Sequence, residues 1–154
     1  WTLSPDGNAR PLRMTPFNEG EGRFSPDGAW VAYTADDSGR REVYVEAYPG
    51  GGNRTAVSTG GGLLPWWSPD GKELFYATGD ALVVAAFRPD GSFSPSRKVL
   101  DRSKIYLSDR YQSYAVTPDG KRLLVILPAE GAAPRQLNVI LNWSGEGDEA
   151  GAKR

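Results

Sequence analysis

The tripeptide Pro-Asp-Gly recurs along the chain and constrains its fold more than any other feature. It occurs five times in 154 residues, ending at Gly7, Gly28, Gly71, Gly91 and Gly120. At three of these sites Ser or Thr precedes the tripeptide and a strongly apolar stretch follows it. The aspartates of these sites, Asp27, Asp70 and Asp119, are separated by 43 and 49 residues. Such a period is typical of the four-stranded blades of β-propellers.

Apolar stretches and turn residues divide each unit into strands a to d, and we predict an all-β fold. The apolar stretches after the tripeptides are apolar at nearly every position rather than at alternate ones, as in strands buried on both faces. No window has a sustained helical period, so almost no helix is expected. The fold class is therefore a partial β-propeller of four-stranded antiparallel blades, with about three blades' worth of strands.

The predicted boundaries follow from this repeat. Strands c and d of a preceding blade occupy residues 1–13, full blades occupy 14–58 and 59–99, a last blade of three strands occupies 100–143, and 144–154 is a disordered tail. The predicted outer strands d of the two full blades lie near 53–58 and 92–99.

The motifs of the chain resemble a known repeat. Ser25-Pro26-Asp27-Gly28, the polar loop at 36–39 and the strand at 42–45 resemble the WD40-like PD40 repeat of TolB-type β-propellers. The runs 117–125 and 137–143 look like the C-terminal end of the propellers that follow bacterial serine/threonine protein kinase domains. The likeness covers the chain up to Trp143 and implies an extracytoplasmic location.

Composition and motifs argue against catalysis and against several kinds of partner. The chain has no His and no Cys, which removes Ser-His-Asp triads, thiol chemistry and the commonest metal ligands. We expect no catalytic residue, no cofactor and no metal site, and we interpret the recurring aspartates as turn residues. A net charge of −1 gives no sign of nucleic-acid binding, and no apolar run has the length of a membrane span.

Candidate partner-binding residues lie on the longer connections. The a–b and c–d turns are short and share one end of the strands, whereas the b–c and d–a connections at the other end are longer and varied. Long loops on a rigid scaffold commonly carry binding residues. The candidates are Arg102, Lys104, Tyr106, Asp109, Arg110 and Tyr111, together with Arg40 and Arg41. The alternatives are that Tyr106 and Tyr111 only pack and that the Arg40-Arg41 pair is only solvated.

Two full units and two partial ones cannot close a ring, since propellers need at least about four blades. The chain is expected to be a fragment of a larger parent, one half of a homodimeric ring, or a short open array. In a homodimer, the strand near 9–13 of one copy would complete the three-stranded last blade of the other.

Two functions remain open. The leading one is a non-catalytic interaction or sensor module, the C-terminal part of a bacterial kinase-linked or TolB-like protein, which binds an unidentified protein or small ligand. The alternative is the accessory propeller of a prolyl-oligopeptidase-type serine peptidase, which would gate substrate access to a separate catalytic domain.

Overall fold

Antiparallel strands account for nearly all the regular structure in the computed structural model, which describes residues 1–49, 54–108, 112–129 and 132–141. In chain order they are β1 (Thr2–Leu3), β2 (Ala9–Arg10), β3 (Glu19–Phe24), β4 (Trp30–Ala35), β5 (Glu42–Ala47), β6 (Thr55–Ala56), β7 (Leu63–Trp67), β8 (Glu73–Ala77), β9 (Ala81–Ala86), β10 (Arg97–Asp101), β11 (Tyr114–Val116), β12 (Arg122–Ala129) and β13 (Ala132–Leu141). The helical structure within these residues is one 3₁₀ turn, Arg102–Lys104. None of them forms a helix with the length and hydropathy needed to cross a bilayer.

The strands form four sheets whose order follows the chain. Strands β1 and β2 form an N-terminal hairpin, β3 to β6 the first blade, β7 to β10 the second blade, and β11 to β13 the last sheet. Each strand pairs antiparallel with the strand that follows it in the same sheet. The predicted all-β fold with four-stranded antiparallel blades is confirmed.

The outer strand of the second blade lies further along the chain than predicted. Strand β10 spans Arg97–Asp101, whereas the sequence predicted a strand near 92–99. Phe93 makes only an isolated bridge with Phe87, and Pro95 follows two residues later. Proline has no N–H to donate to a strand ladder, so continuous pairing begins only beyond it.

The middle strands of both blades are buried on both faces. Strand β8 shows this directly, because the adjacent residues Leu74 and Phe75 are fully buried but belong to different clusters. Leu74 packs with Ala32 and Val45 of the first blade. Phe75 packs with Leu123 and other apolar residues of the last sheet. Successive sheets therefore share their cores, as the continuous apolar character of these strands predicted.

Trp67 holds the first and second blades together at their inner strands. Its ring is almost completely buried in the cluster between the two blades. Its indole Nε1 donates a hydrogen bond of 3.2 Å to the backbone oxygen of Arg23 on β3. Phe87 meets the same ring edge-on at a centroid distance of 5.2 Å. The contact therefore combines apolar burial with a directed polar bond, which fixes how β7 lies against β3.

The opposite face of the first blade carries a buried polar cluster. Glu46 is completely buried, and its Oε2 lies 2.5 Å from Nη1 of Arg13, a residue that follows the N-terminal hairpin. The Tyr33 hydroxyl donates to the same oxygen over 3.2 Å and accepts from Arg13 over 3.1 Å. Burial raises the pKa of Tyr33 to about 12, and the neighbouring Glu46 charge adds to the effect. The cluster ties the N-terminal segment to the first blade.

Removing the carboxylate from this cluster is expected to destabilise the fold. In Glu46→Leu the Arg13 guanidinium keeps its partly buried position but has lost its counter-charge, so the free energy of unfolding should fall by about 3 kcal/mol. The double variant Arg13→Met, Glu46→Leu should recover part of this loss because no charge is left unpaired. Urea unfolding of the single and double variants measures both effects. Arg10→Met, at an exposed arginine of β2, is the control. Equal losses in the control and in Glu46→Leu would contradict the assignment.

Candidate binding surface

The aspartates of the Pro-Asp-Gly tripeptides hold turns. Oδ1 of Asp27 accepts from the Ser25 hydroxyl at 2.5 Å and from the backbone N–H of Ala29 at 3.0 Å. Gly28 completes the turn at a φ of 72°, in the left-handed region that favours glycine. Asp70 and Asp119 make the same pair of contacts in their own turns. Because these hydrogen bonds stabilise the charged form, the pKa of each carboxyl is lowered.

These turns should make stability depend on pH in the acid range. The largest cause of the lowered Asp70 pKa is the Ser68 hydroxyl, so the stabilisation is complete above about pH 5 and is lost as the folded carboxyl becomes protonated at lower pH. Asp70→Asn should therefore lower the free energy of unfolding at pH 6, and its difference from wild type should shrink on acidification. Urea unfolding at a series of pH values tests this.

Lys72→Gln is the matched control, because the Lys72 ammonium lies 4.0 Å from the Asp70 carboxylate in an exposed position. It should leave the pH dependence nearly unchanged, since an exposed pair at this distance contributes little. A pH dependence lost in Lys72→Gln but retained in Asp70→Asn would show that the turn hydrogen bonds are not its source.

Two open clefts lie between neighbouring turns at the short-turn end. One has a volume of about 290 Å³ and is lined by residues of the turns at 68–73 and 118–120. The other, of about 260 Å³, is lined by residues that include Trp30 and Phe87. The Asp27, Asp70 and Asp119 carboxylates that line them are already bonded within their turns. Within the described residues, no three acidic side chains form a group that could hold a metal ion.

The predicted binding loop of the second blade begins as an ordered turn. Oδ1 of Asp101 accepts from the backbone N–H of Ser103 at 3.0 Å and begins the 3₁₀ turn. The Arg102 guanidinium donates to the backbone oxygens of Thr78 and Leu107 at 3.4 and 3.3 Å, so it spans two connections at the same end of the blade. Arg102 therefore helps to shape the loop as well as to present charge.

Lys104 and Tyr106 are the most available candidates in this loop. Lys104 is exposed, and the Tyr106 side chain is 46% exposed although its backbone N–H donates to Ile126 at 2.7 Å. A fixed backbone with an exposed aromatic ring suits a contact surface. The other candidates of this loop, Asp109, Arg110 and Tyr111, lie outside the described residues.

Arg40 and Arg41 are exposed but each is paired with a glutamate. Nε of Arg40 lies 3.4 Å from Glu42, and Nη1 of Arg41 lies 3.9 Å from Glu21. The side chains are 63% and 51% exposed respectively. Within the described residues no hydrogen bond or ion pair joins them to Arg102, Lys104 or Tyr106. The two groups of candidates thus share the long-loop end of the strands but remain separate.

The glutamate beside Arg40 is directed into the protein. The Glu42 side chain is buried and accepts from the backbone N–H of Gly61 at 2.9 Å and from the Ser58 hydroxyl. Ser58 in turn accepts from the N–H of Val43 at 2.8 Å. Glu42 therefore organises the connection between the two blades, because its carboxylate is hydrogen-bonded by backbone and hydroxyl donors of that connection.

A second site, which the sequence did not predict, lies where the inner strands of the two blades meet. Glu21 and Leu64 have φ values of 58° and 56°, and both lie at irregularities of the inner-strand pairing. Oε2 of Glu21 accepts from the backbone N–H of Leu64 at 2.7 Å. The Leu64 oxygen accepts from the buried Tyr114 hydroxyl of the last sheet, so three successive sheets are joined here. Burial raises the pKa of Tyr114.

Beside this junction the Arg23 guanidinium lies over the face of Trp66. Its central carbon is 4.8 Å from the ring centroid, within the range of a cation–π contact. Trp66 is half-buried, whereas Arg23 is exposed. We refer to Glu21, Arg23, Arg41, Leu64 and Trp66 as the inner-edge cluster. Glu21 and Leu64, like Asp27 and Asp70, are 43 residues apart, but this spacing alone did not indicate that their side chain and backbone meet.

Comparison with known proteins identifies the fold. No family model and no curated protein matches the chain. An oligogalacturonate lyase in complex with manganese superposes with a TM-score of 0.61 at 16% identity, over 91% of this chain and 40% of that one. TolB from Acinetobacter baumannii superposes with a TM-score of 0.57 at 18% identity, over 86% of this chain and 32% of that one. An oligogalacturonate lyase from Vibrio parahaemolyticus gives 0.51 at 18% identity, over 68% and 27%.

The chain therefore spans less than half the length of each of these structures. At such low identity the likeness describes architecture and not activity. Together with the four sheets described above, it shows that the chain has the fold of a partial TolB-like β-propeller.

Proposed function

We propose that the chain is part of a non-catalytic β-propeller interaction or sensor module that binds a partner through its long-loop end. The main observation behind the proposal is that the glutamates near this end are bonded to the protein backbone, whereas basic and aromatic side chains are exposed there. Glu42 accepts a hydrogen bond from the backbone N–H of Gly61 on the connection between the two blades, and Glu21 accepts one from Leu64 on β7. Arg40, Lys104 and Tyr106, in contrast, remain exposed. Arg and Tyr are favoured at binding hot spots. Here they lie on connections between strands whose apolar core is shared by neighbouring sheets.

The composition of the chain supports a binding role over a catalytic one. The chain contains no His and no Cys, so the commonest general base and the strongest nucleophile are absent from its sequence. The structural neighbours include TolB as well as oligogalacturonate lyases, so their names do not favour one class. As part of the proposal, the parent is a larger bacterial TolB-like or kinase-linked protein, and the module faces the extracytoplasmic side.

Site-specific photocrosslinking tests the proposal. A benzophenone amino acid replaces the exposed Tyr106 at the long-loop end or the half-exposed Ser92 at the short-turn end. We expect a discrete crosslinked partner from position 106 in cells that express the full-length parent, and no such product from position 92. Lys104→Glu should weaken the product at position 106, since it reverses an exposed charge two residues away.

Lys121→Glu is the matched control, because it reverses an exposed lysine in a Pro-Asp-Gly turn at the other end. It should leave the crosslinked product unchanged. Equal crosslinking from both positions, or equal sensitivity to both charge reversals, would contradict binding at the long-loop end.

A further inference from the structure

We propose that Arg23, held on the face of Trp66, binds a carboxylate in an acidic segment of a protein partner. The inference deepens the proposed function and rests on it for the existence of a partner. It adds a second contact site, the inner-edge cluster, and the chemistry that this site recognises.

The position of the Arg23 guanidinium leaves its donors available. Its central carbon lies 4.8 Å from the centroid of the Trp66 ring, and in the described part of the chain its N–H groups donate no hydrogen bond to a protein acceptor. Within the described residues, no carboxylate is close enough to form an ion pair with Arg23. Contact with an aromatic ring restricts the guanidinium before a ligand arrives, which lowers the entropy lost on binding.

The backbone of Arg23 is fixed as firmly as its side chain. Its carbonyl oxygen accepts the hydrogen bond from the buried indole of Trp67, so the residue is attached to the second blade by its main chain and by its guanidinium. The two tryptophans are adjacent on β7, and their side chains belong to opposite faces of that strand. Arg23 is therefore presented by a rigid junction rather than by a loop.

The local charge fits a single carboxylate. Arg23 and Arg41 each contribute one positive charge and Glu21 one negative charge, which leaves an excess of one positive charge in the cluster. The Glu21 carboxylate is occupied by the Leu64 N–H at 2.7 Å and by Arg41 at 3.9 Å. Planar guanidinium groups bind carboxylates through two parallel hydrogen bonds. A phosphate dianion would carry more charge than this cluster neutralises.

The shape of the site favours a segment of a macromolecule over a free small acid. Small molecules are usually bound in enclosed, largely apolar pockets. Arg23 lies exposed on β3, which is at the edge of its sheet. An open edge of this kind can be covered by an extended acidic peptide whose other residues contact neighbouring strands.

Peptide titration tests the proposal. The purified chain is titrated with blocked hexaglutamate, and binding is followed by tryptophan fluorescence and by the NMR signals of the arginine Nε–H groups. We expect saturable binding that shifts the Arg23 signal, with no binding of hexaglutamine. Arg23→Gln should weaken the affinity by about tenfold or more, since a charge-assisted pair of hydrogen bonds is lost. Arg23→Lys should weaken it as well, because an ammonium cannot make the two parallel bonds.

Arg88→Gln, an exposed arginine near a Pro-Asp-Gly turn, is the matched control and should bind as wild type. Circular dichroism of each variant checks that the β fold is retained. Unchanged affinity in folded Arg23→Gln, or equally tight binding of hexaglutamine, free acetate or a hexathymidylate oligonucleotide, would overturn the proposal. If the peptide titration fails but the wild-type module still crosslinks a partner from position 106, only the Arg23 site is contradicted. If no partner is crosslinked from position 106, the proposed function itself is contradicted.

Discussion

A middle strand of a blade must bury both of its faces, and the rest of the structure depends on this requirement. Leu74 and Phe75 are neighbours in the chain, yet they project into separate clusters shared with the sheets on either side. No single sheet can supply both partners, so the second blade buries its middle strand only by packing between the sheets on either side. Successive sheets must then approach closely at their inner strands, and the loops at the strand ends are free to vary.

The inner-edge cluster is a product of that approach. Packing β7 on the first blade buries Trp67 and brings its indole to the Arg23 backbone oxygen. The same contact carries Trp66 beneath the Arg23 guanidinium and Leu64 to the Glu21 carboxylate. Apolar packing thus determines where a polar surface group is held. The Arg23 guanidinium is therefore held by residues of the core, although its own N–H groups are exposed.

The sequence predicted the features that repeat, and it did not predict those that differ between repeats. The turns at Asp27, Asp70 and Asp119 and the doubly buried strands were visible because each unit carries the same residue types. Glu21 and Leu64 occupy corresponding positions in consecutive units but share no chemistry, so the periodicity gave no reason to pair them. The Arg13–Glu46 contact likewise joins residues 33 positions apart, one in the segment after the N-terminal hairpin and the other on β5. Their pairing depends on three-dimensional packing.

The hydrogen bond from Leu64 to Glu21 also bears on how the chain would respond to mechanical force. It links inner strands whose positions in the sequence differ by one repeat, and the Tyr114–Leu64 bond repeats the arrangement at the next junction. Tension along the array would load these links together, and each could break separately because each joins only neighbouring sheets. The array would then extend in blade-sized steps and could absorb work at each one. A module of this kind would in this way yield gradually under load while its remaining blades stayed folded.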